Sequence, residues 1–386
     1  MNNPTPPSLP RREFLRLLGL LGSAAAVTIF LDACQKAGIL PAPATTATNA
    51  PGETASPTTH STATAEQQAT EEPTPTQKAT EPPRGDVARV AFVRTSDRTA
   101  GVNKAIDLFG AIPIAGQLVF LKPNYNSADP TPGSTHPDVL RALVLKLREM
   151  GAGEITVGDR SGMGDTRLVM QALGIFELAE ELGFNALVFD ELSAEDWVRV
   201  VPPGSHWRQG FRFARPCLDC EAVVQACCLK THRYGGHFTL SLKNSVGLAA
   251  KSVPGEGYNY MNELHTSRHQ RRMIAEINAA YRPALVVLDA VEGFANGGPD
   301  QGKLIRPEVV LAGSDRVAID AIGVALLRYF GTTREVSRGA IFEQEQIARA
   351  VELGLGIGSP EQIELVTDDQ ASAEFAGEIM KVLRGG

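Results

Sequence analysis

Short apolar segments alternate with helical segments along most of the chain, and this alternation constrains the fold more than any other feature. Val87 to Arg94, Gln117 to Leu121, Glu154 to Gly158 and Ala222 to Leu229 have the length and composition of strands. Residues 138–150 and 315–329 carry apolar side chains at helical spacing. Apolar strands separated by helices are typical of a mostly parallel sheet covered on both faces. The sequence therefore predicts an α/β fold.

Changes in composition divide the chain into segments. We assign residues 1–41 to an export signal, 42–84 to a disordered Thr/Pro-rich stalk, 85–370 to a single large α/β domain and 371–386 to a C-terminal tail. Within the domain, the aromatic residues between Trp197 and Phe213 indicate a small β-rich excursion. Glu263 to Tyr281 is predicted to be one long polar helix.

The N-terminal segment predicts export and attachment to a membrane. Arg11-Arg12 through Arg16 resembles a twin-arginine signal, and an apolar run from Leu17 to Leu31 follows it. Leu31 to Cys34 resembles a lipobox, so Cys34 is the expected site of lipidation. Simple signal cleavage and a retained single-span anchor are the alternatives. Each of them places the domain outside the cytoplasm, tethered to the cell membrane or secreted.

Polar residues follow several predicted strands at the point where each strand ends. These pairs are Lys122/Asn124, Asp159/Ser161, Lys230/His232 and Asp289/Glu292. The carboxyl ends of parallel strands share one edge of a sheet, so we expect these residues to converge there. Each pair could instead be a set of solvated loop residues. Lys122 and Lys230 are suited to hold a carboxylate or a phosphate group.

A second polar segment follows the Gly235-Gly236 break. If a helix begins near Phe238, His237, Ser241 and Asn244 share a face and Lys243 points away from it. Lys243 and His237 then serve one pocket only if the helix begins later or is irregular. Asp315 is expected to cap the helix that follows it, and Asp320 is placed one turn further on, facing the site.

Metal binding is a further prediction. His232, His237, Asp159 and Glu292 have side chains that suit a divalent ion, although their spacing is not that of a zinc motif. The alternative is that both imidazoles donate hydrogen bonds to backbone carbonyls. Cys217, Cys220, Cys227 and Cys228 lack the spacing of zinc knuckles or of bacterial ferredoxins. We expect buried cysteines or one disulfide between Cys217 and Cys220, and no iron–sulfur cluster.

The charge balance limits the partners. With 37 basic and 44 acidic side chains and a net charge of -7, the chain lacks the basic field of a general nucleic-acid binder. No P-loop or dinucleotide fingerprint is present. The expected partners are a small anionic molecule and, through the N-terminal anchor, a membrane.

Taken in order, the motifs of residues 118–325 resemble those of the family called domain of unknown function 362. They are Lys122-Pro123-Asn124, Thr135-His136-Pro137, Gly158-Asp159, Leu229 to His232, Leu242 to Gly247, Asp289 with Glu292-Gly293, and Gly313 to Asp320. The resemblance implies that the family positions are Lys122, Asn124, Asp159, Lys230, His232, Lys243, Asn244, Glu292 and Asp320. Some members carry an iron–sulfur module, whose cysteines this chain lacks. The family has no agreed activity.

The residues and the resemblance together give a set of site predictions. Catalytic roles are assigned to Lys230, His232, Lys243 and Asn244. Ligand-binding roles are assigned to Lys122, Asn124, His136, Ser161 and Asp320. The first functional hypothesis is an enzyme of unknown reaction acting on a small anion, with or without a divalent metal. The second is a non-catalytic ligand-binding or scaffold module carried on a stalk.

Overall fold

The computed structural model describes residues 87–385. The predictions for the twin-arginine motif, the apolar run, Cys34 and the stalk fall on residues outside that range. Within residues 87–385, no helix has both the length and the apolar character needed to cross a membrane.

The described residues form twelve strands and twelve α-helices, connected by loops and short 3₁₀ turns. The strands are β1 (Ala88–Arg94), β2 (Val119–Lys122), β3 (Ile155–Asp159), β4 (Asn185–Val188), β5 (Trp197–Val200), β6 (Phe211–Ala214), β7 (Ala222–His232), β8 (His237–Thr239), β9 (Leu285–Gly297), β10 (Gly302–Ile305), β11 (Val309–Gly313) and β12 (Ile363–Val366). The helices are α1 (Arg98–Phe109), α2 (Pro137–Glu149), α3 (Thr166–Ala172), α4 (Ile175–Leu182), α5 (Arg215–Asp219), α6 (Ser241–Asn244), α7 (Tyr260–Thr266), α8 (Gln270–Ile277), α9 (Arg316–Tyr329), α10 (Arg334–Ser337), α11 (Glu345–Glu352) and α12 (Gln370–Gly385).

One large sheet organises the fold. Its strand order is β12-β1-β11-β9-β7-β2-β3-β4, with β8 paired to β7 and β10 paired to β9. The pairs from β9 through β7, β2 and β3 to β4 are parallel, as is β12 with β1, whereas β11 runs antiparallel to both of its neighbours. The predicted α/β class with a mostly parallel sheet is confirmed. Strands β5 and β6 form the predicted small excursion as a separate antiparallel pair.

Apolar side chains cover both faces of the sheet. Along β1, Val90 and Phe92 enter one core, and Ala91 and Val93 enter the core on the opposite face. Helices α1 to α4 cover the second of these faces. Helices α9, α11 and α12 cover the first, beside a third cluster that packs α7 and α8 against the β5–β6 pair. Each large apolar side chain buried in this way contributes about 1.5–3 kcal/mol.

Two strands are longer than the sequence predicts. We expected β7 to end at Leu229, but it continues to His232 because β8 pairs with Lys230, Thr231 and His232. Likewise β9 continues to Gly297, so Asp289 and Glu292 lie within it and not after it. A shift in register between β7 and β9 at Leu229 accommodates the residues around Glu292.

Three helical segments also differ from their predicted bounds. Phe238 lies in β8, and the helix expected to begin there starts at Ser241. The long polar helix is divided into α7 and α8, because the Ser267 hydroxyl accepts the amide of His269 and turns the chain between them. The C-terminal residues form α12, whose Phe375 and Ile379 side chains are buried in the core.

Candidate functional site

A cavity of about 570 Å³ lies where the carboxyl ends of β2, β3 and β7 meet α6 and α7. Strand ends in a parallel sheet are where α/β proteins bind ligands. The charged and imidazole side chains bordering it are Lys122, Arg160, Lys230, Arg233, Lys243, Lys251, His232, His265 and Asp159. Among the described residues, six cationic side chains therefore face this cavity with one carboxylate.

A buried ion pair joins the ends of β2 and β3. Lys122 Nζ lies 2.9 Å from Asp159 Oδ1, and both side chains are almost completely buried. Asp159 also accepts the backbone amides of Tyr125 and Arg160, at 2.7 Å each. These bonds satisfy the carboxylate fully and offset the cost of burying it.

A chain of hydrogen bonds connects this pair to β7. Lys230 Nζ donates to Asn124 Oδ1 at 2.9 Å and also to the carbonyl of Gly133. Asn124 Nδ2 donates to Asn244 Oδ1 at 3.0 Å, and Lys122 Nζ donates to the same oxygen at 3.4 Å. Four residues from three separate segments of the sequence thus form one connected network, which we call the lysine network.

Two features hold α6 against the lysine network. Asp320 on α9 accepts the amide of Ser241 at 2.7 Å and that of Leu242 at 3.2 Å, so it binds the start of α6. Burial raises the pKa of Asp320 to about 8. Gly247 follows α6, and a Cβ atom there would lie 2.1 Å from Asp159 Oδ1. Only glycine allows the backbone to approach the ion pair so closely.

Lys243 and His232 have unusual electrostatic surroundings. Burial, with the neighbouring Lys230 and Arg160 cations, lowers the pKa of Lys243 to about 7. Burial, then Lys243 and Lys230, holds the pKa of His232 well below 6.5, so its imidazole is neutral at neutral pH. His232 is 6 % exposed, and its Nδ1 is buried with no hydrogen-bond partner among the described residues. Strong shifts of this kind are concentrated at functional sites.

Several residues at the cavity were not predicted. Arg160 follows Asp159 directly, so it could have been selected, like its neighbour, as a polar residue at the end of a strand. Its guanidinium donates to the carbonyls of Ala249 and Val246. His265 and Lys251 lie on or near α7, whose packing no local pattern reveals. At the cavity mouth, Tyr234 and Met163 are 49 % and 45 % exposed.

The structure brings together seven of the predicted site residues. Lys122, Asn124, Asp159, Lys230, His232, Lys243 and Asn244 all border the cavity. Three predicted ligand-binding residues do not border it: His136, Ser161 and Asp320. His136 caps α2 by accepting the amide of Asp138, and Ser161 Oγ donates to the Tyr125 carbonyl at 2.6 Å.

The four predicted metal ligands do not lie in one place. His232 and Asp159 border the cavity, whereas His237 lies in a separate depression with Glu335 and Glu345. Glu292 accepts hydrogen bonds from Arg98 and Arg306. Within residues 87–385, no group of three or more His, Cys, Asp and Glu side chains is placed to hold an ion. Metal binding stays a prediction.

The four cysteines of the described domain are free thiols. Cys217, Cys227 and Cys228 are buried, and Cys220 is half-buried. Burial raises the pKa of each thiol above its ordinary value, so the thiolate form is disfavoured. No disulfide joins Cys217 to Cys220 in this structure.

The fold and the cavity define an α/β protein with a cationic site at the carboxyl edge of its sheet. A family model described as Domain of unknown function (DUF362) matches residues 119–325, just over half of the chain. The protein belongs to that family. The matched range includes all seven of the predicted residues at the cavity. No curated protein matches the chain.

Proposed function

We propose that this protein binds a small anionic ligand in the cavity bordered by the lysine network, outside the cytoplasm and tethered to a membrane. The ligand site is supported by the charges that face the cavity. The location is supported by the sequence of the N-terminal segment. The two parts of the proposal are independent, and each has its own test.

Lys230 carries the ligand part of the proposal. Its side chain is 0 % exposed, and its ammonium is bound by one amide oxygen and one carbonyl. No carboxylate of a described residue forms an ion pair with it. Burial lowers the pKa of Lys230, and Cys228 and the carboxylates of Asp129, Asp159 and Asp300 oppose this shift without forming an ion pair with the ammonium. Buried charges are normally paired, so an anion in the cavity would supply the missing partner.

The remaining donors favour an anion of metabolite size. Lys122 uses its three N–H groups on Asp159, Asn244 and the Pro123 carbonyl, so it has none left for a ligand. Lys230 uses two of its three, and Lys243 uses none on any described residue. A cavity of about 570 Å³ lies within the range that holds small ligands. Lys230 and Lys243 are therefore the expected contacts of the anion.

Calorimetric titration tests the ligand site. We would titrate the full chain with malonate, sulfate and phosphate, and compare the wild type with Lys230→Met and with Lys303→Met. Lys303 is an exposed lysine on β10, so its variant controls for a general loss of positive charge. We expect one site for at least one anion, weakened by roughly 30-fold or more in Lys230→Met because the buried charge partner is lost. Equal anion affinities of Lys230→Met and Lys303→Met would contradict the proposal.

Export and lipidation are tested on cells. The wild type should fractionate with the membrane and carry a lipid on Cys34, whereas Cys34→Ala should be released in soluble form. Replacing Arg11 and Arg12 with lysines should leave the precursor in the cytoplasm. Cytoplasmic wild-type protein of full length would refute this part alone.

A further inference from the structure

Lys243 differs from the two buried lysines at the cavity. Lys122 and Lys230 are held by the hydrogen bonds of the lysine network. The side-chain amine of Lys243 makes no hydrogen bond or ion pair with any described residue, although Lys243 lies on the short helix α6 that Asp320 fixes in place. Its amine is thus positioned by the backbone and left free to react or bind.

The surroundings of Lys243 place a neutral imidazole beside the amine. A Cβ atom on Gly236 would lie 2.7 Å from Lys243 Cε and 3.0 Å from His232 Nδ1. Lys243 Cε and His232 Nδ1 are therefore at most 5.7 Å apart, which is the sum of these two distances. The unpartnered, buried Nδ1 of His232 can accept or donate a proton here once the imidazole takes the matching tautomer.

Charge repulsion and burial favour the neutral amine. With a pKa of about 7, Lys243 is about half deprotonated at neutral pH. At neutral pH the deprotonated fraction of an ordinary lysine is ~10³-fold smaller. Proteins make lysine nucleophilic by desolvating it and by placing it next to another cationic group. Lys230 and Arg160 supply that second condition.

We propose that Lys243 is a nucleophile that condenses with the carbonyl carbon of a small oxo-acid whose carboxylate is held beside Lys230. This rests on the proposed anion site and adds a reaction to it. The Nζ lone pair forms the new C–N bond, and the C=O π electrons move to oxygen. A proton passes from nitrogen to that oxygen, and the His232 imidazole, which lies near Lys243 beside Gly236, can carry it. Loss of water then gives the imine, so that amine and carbonyl yield imine and water without an oxidant or a reductant.

The imine also explains why a cavity lined by cationic side chains suits oxo-acids. Once the imine nitrogen takes up a proton from the solvent, it withdraws electrons from the adjacent carbon, so a bond to that carbon is the next to break. Lys230 would hold the carboxylate and fix which bond is aligned for cleavage. Oxo-acids are thus distinguished from simple dicarboxylates and from inorganic anions, which can bind but cannot condense.

Reductive trapping tests the proposal. The full chain would be incubated separately with glyoxylate, pyruvate and 2-oxoglutarate in the presence of sodium cyanoborohydride, and analysed by intact mass and peptide mapping. We expect one reduced adduct per chain on Lys243 with at least one of these probes, and protection by an excess of a competing anion that binds. Lys303→Arg changes an exposed lysine on β10, away from the cavity, and should keep the adduct, whereas Lys243→Arg should lose it.

Malonate, sulfate and phosphate titrations on the same preparation separate the two proposals. If an anion binds and no oxo-acid labels Lys243, the condensation proposal fails and the anion site stands. If no anion and no oxo-acid binds, both fail. Adducts spread over surface lysines and unaffected by a competing anion would also overturn the condensation proposal.

Discussion

Replacing Lys243 with methionine should stabilise the folded protein below neutral pH. Methionine has a similar length and flexibility but no charge to desolvate. The pKa of Lys243 is about 7 in the folded protein instead of the ordinary 10.5. At ~1.4 kcal/mol per pKa unit, this difference corresponds to about 5 kcal/mol of destabilisation by the ammonium form. The value is an upper limit, because the Lys243 side chain is only partly buried and solvent screens an exposed charge.

The sign of the pH dependence follows from the two pKa values. Below pH 7 the lysine is protonated in both the folded and the unfolded chain, and the folded state bears the full cost. Between pH 7 and 10.5 the unfolded chain binds one more proton, so the stability of the wild type rises with pH. The free energy of unfolding of Lys243→Met should therefore exceed that of the wild type by about 3–5 kcal/mol near pH 6, and this difference should shrink by about 1–3 kcal/mol near pH 9.

Urea unfolding followed by circular dichroism measures this difference at several pH values. Groups that titrate equally in both proteins cancel when the two free energies of unfolding are subtracted. Lys303→Met, on the exposed strand β10, should show the pH profile of the wild type. A Lys243→Met protein that is no more stable than the wild type near pH 6, with a parallel pH profile, would refute the proposed environment of Lys243.

Three further substitutions test how the site is held together. Gly247→Ala should lower the free energy of unfolding by about 1–3 kcal/mol and weaken anion binding, because its Cβ would displace the Asp159–Lys122 pair. Gly377→Ala, in open space on α12, is the control and should not destabilise the protein. Equal effects of the two variants in a denaturation assay would contradict this prediction. Asp320→Ala should cost about 1–3 kcal/mol by leaving the amides of Ser241 and Leu242 unpaired, and unchanged stability would argue against its role in fixing α6. His136→Ala should cost about 1 kcal/mol as a lost helix cap and leave anion affinity unchanged; a calorimetric loss of affinity would place His136 at the site after all.

The local sequence pattern was sufficient to predict much of the sheet and the lysines at its carboxyl edge. The strands β2, β3 and β7 are apolar runs between breaks, and Lys122 and Asp159 end β2 and β3 as expected. Because parallel strands align their carboxyl ends, residues separated by more than a hundred positions could be assigned to one edge of the sheet.

The errors arise where contacts distant in sequence decide the structure. Nothing local shows that β8 will pair with Lys230 to His232, and that pairing both lengthens β7 and converts Phe238 from helix to strand. Helix α6 consequently begins at Ser241, so Lys243 borders the cavity while His237 lies outside it. Glu292 follows an apolar run, and no local signal shows that Arg98 of α1 and Arg306 bind its carboxylate.

The buried ammonium of Lys230 forms no ion pair with a described residue, and we propose that a ligand provides its anionic partner. Crystals soaked in bromide or selenate would locate bound anions directly by anomalous scattering. We expect an anion within hydrogen-bonding distance of Lys230 Nζ in the wild type and no anion there in Lys230→Met. Anions found only on the outer surface of the wild type, with the cavity holding none, would contradict it.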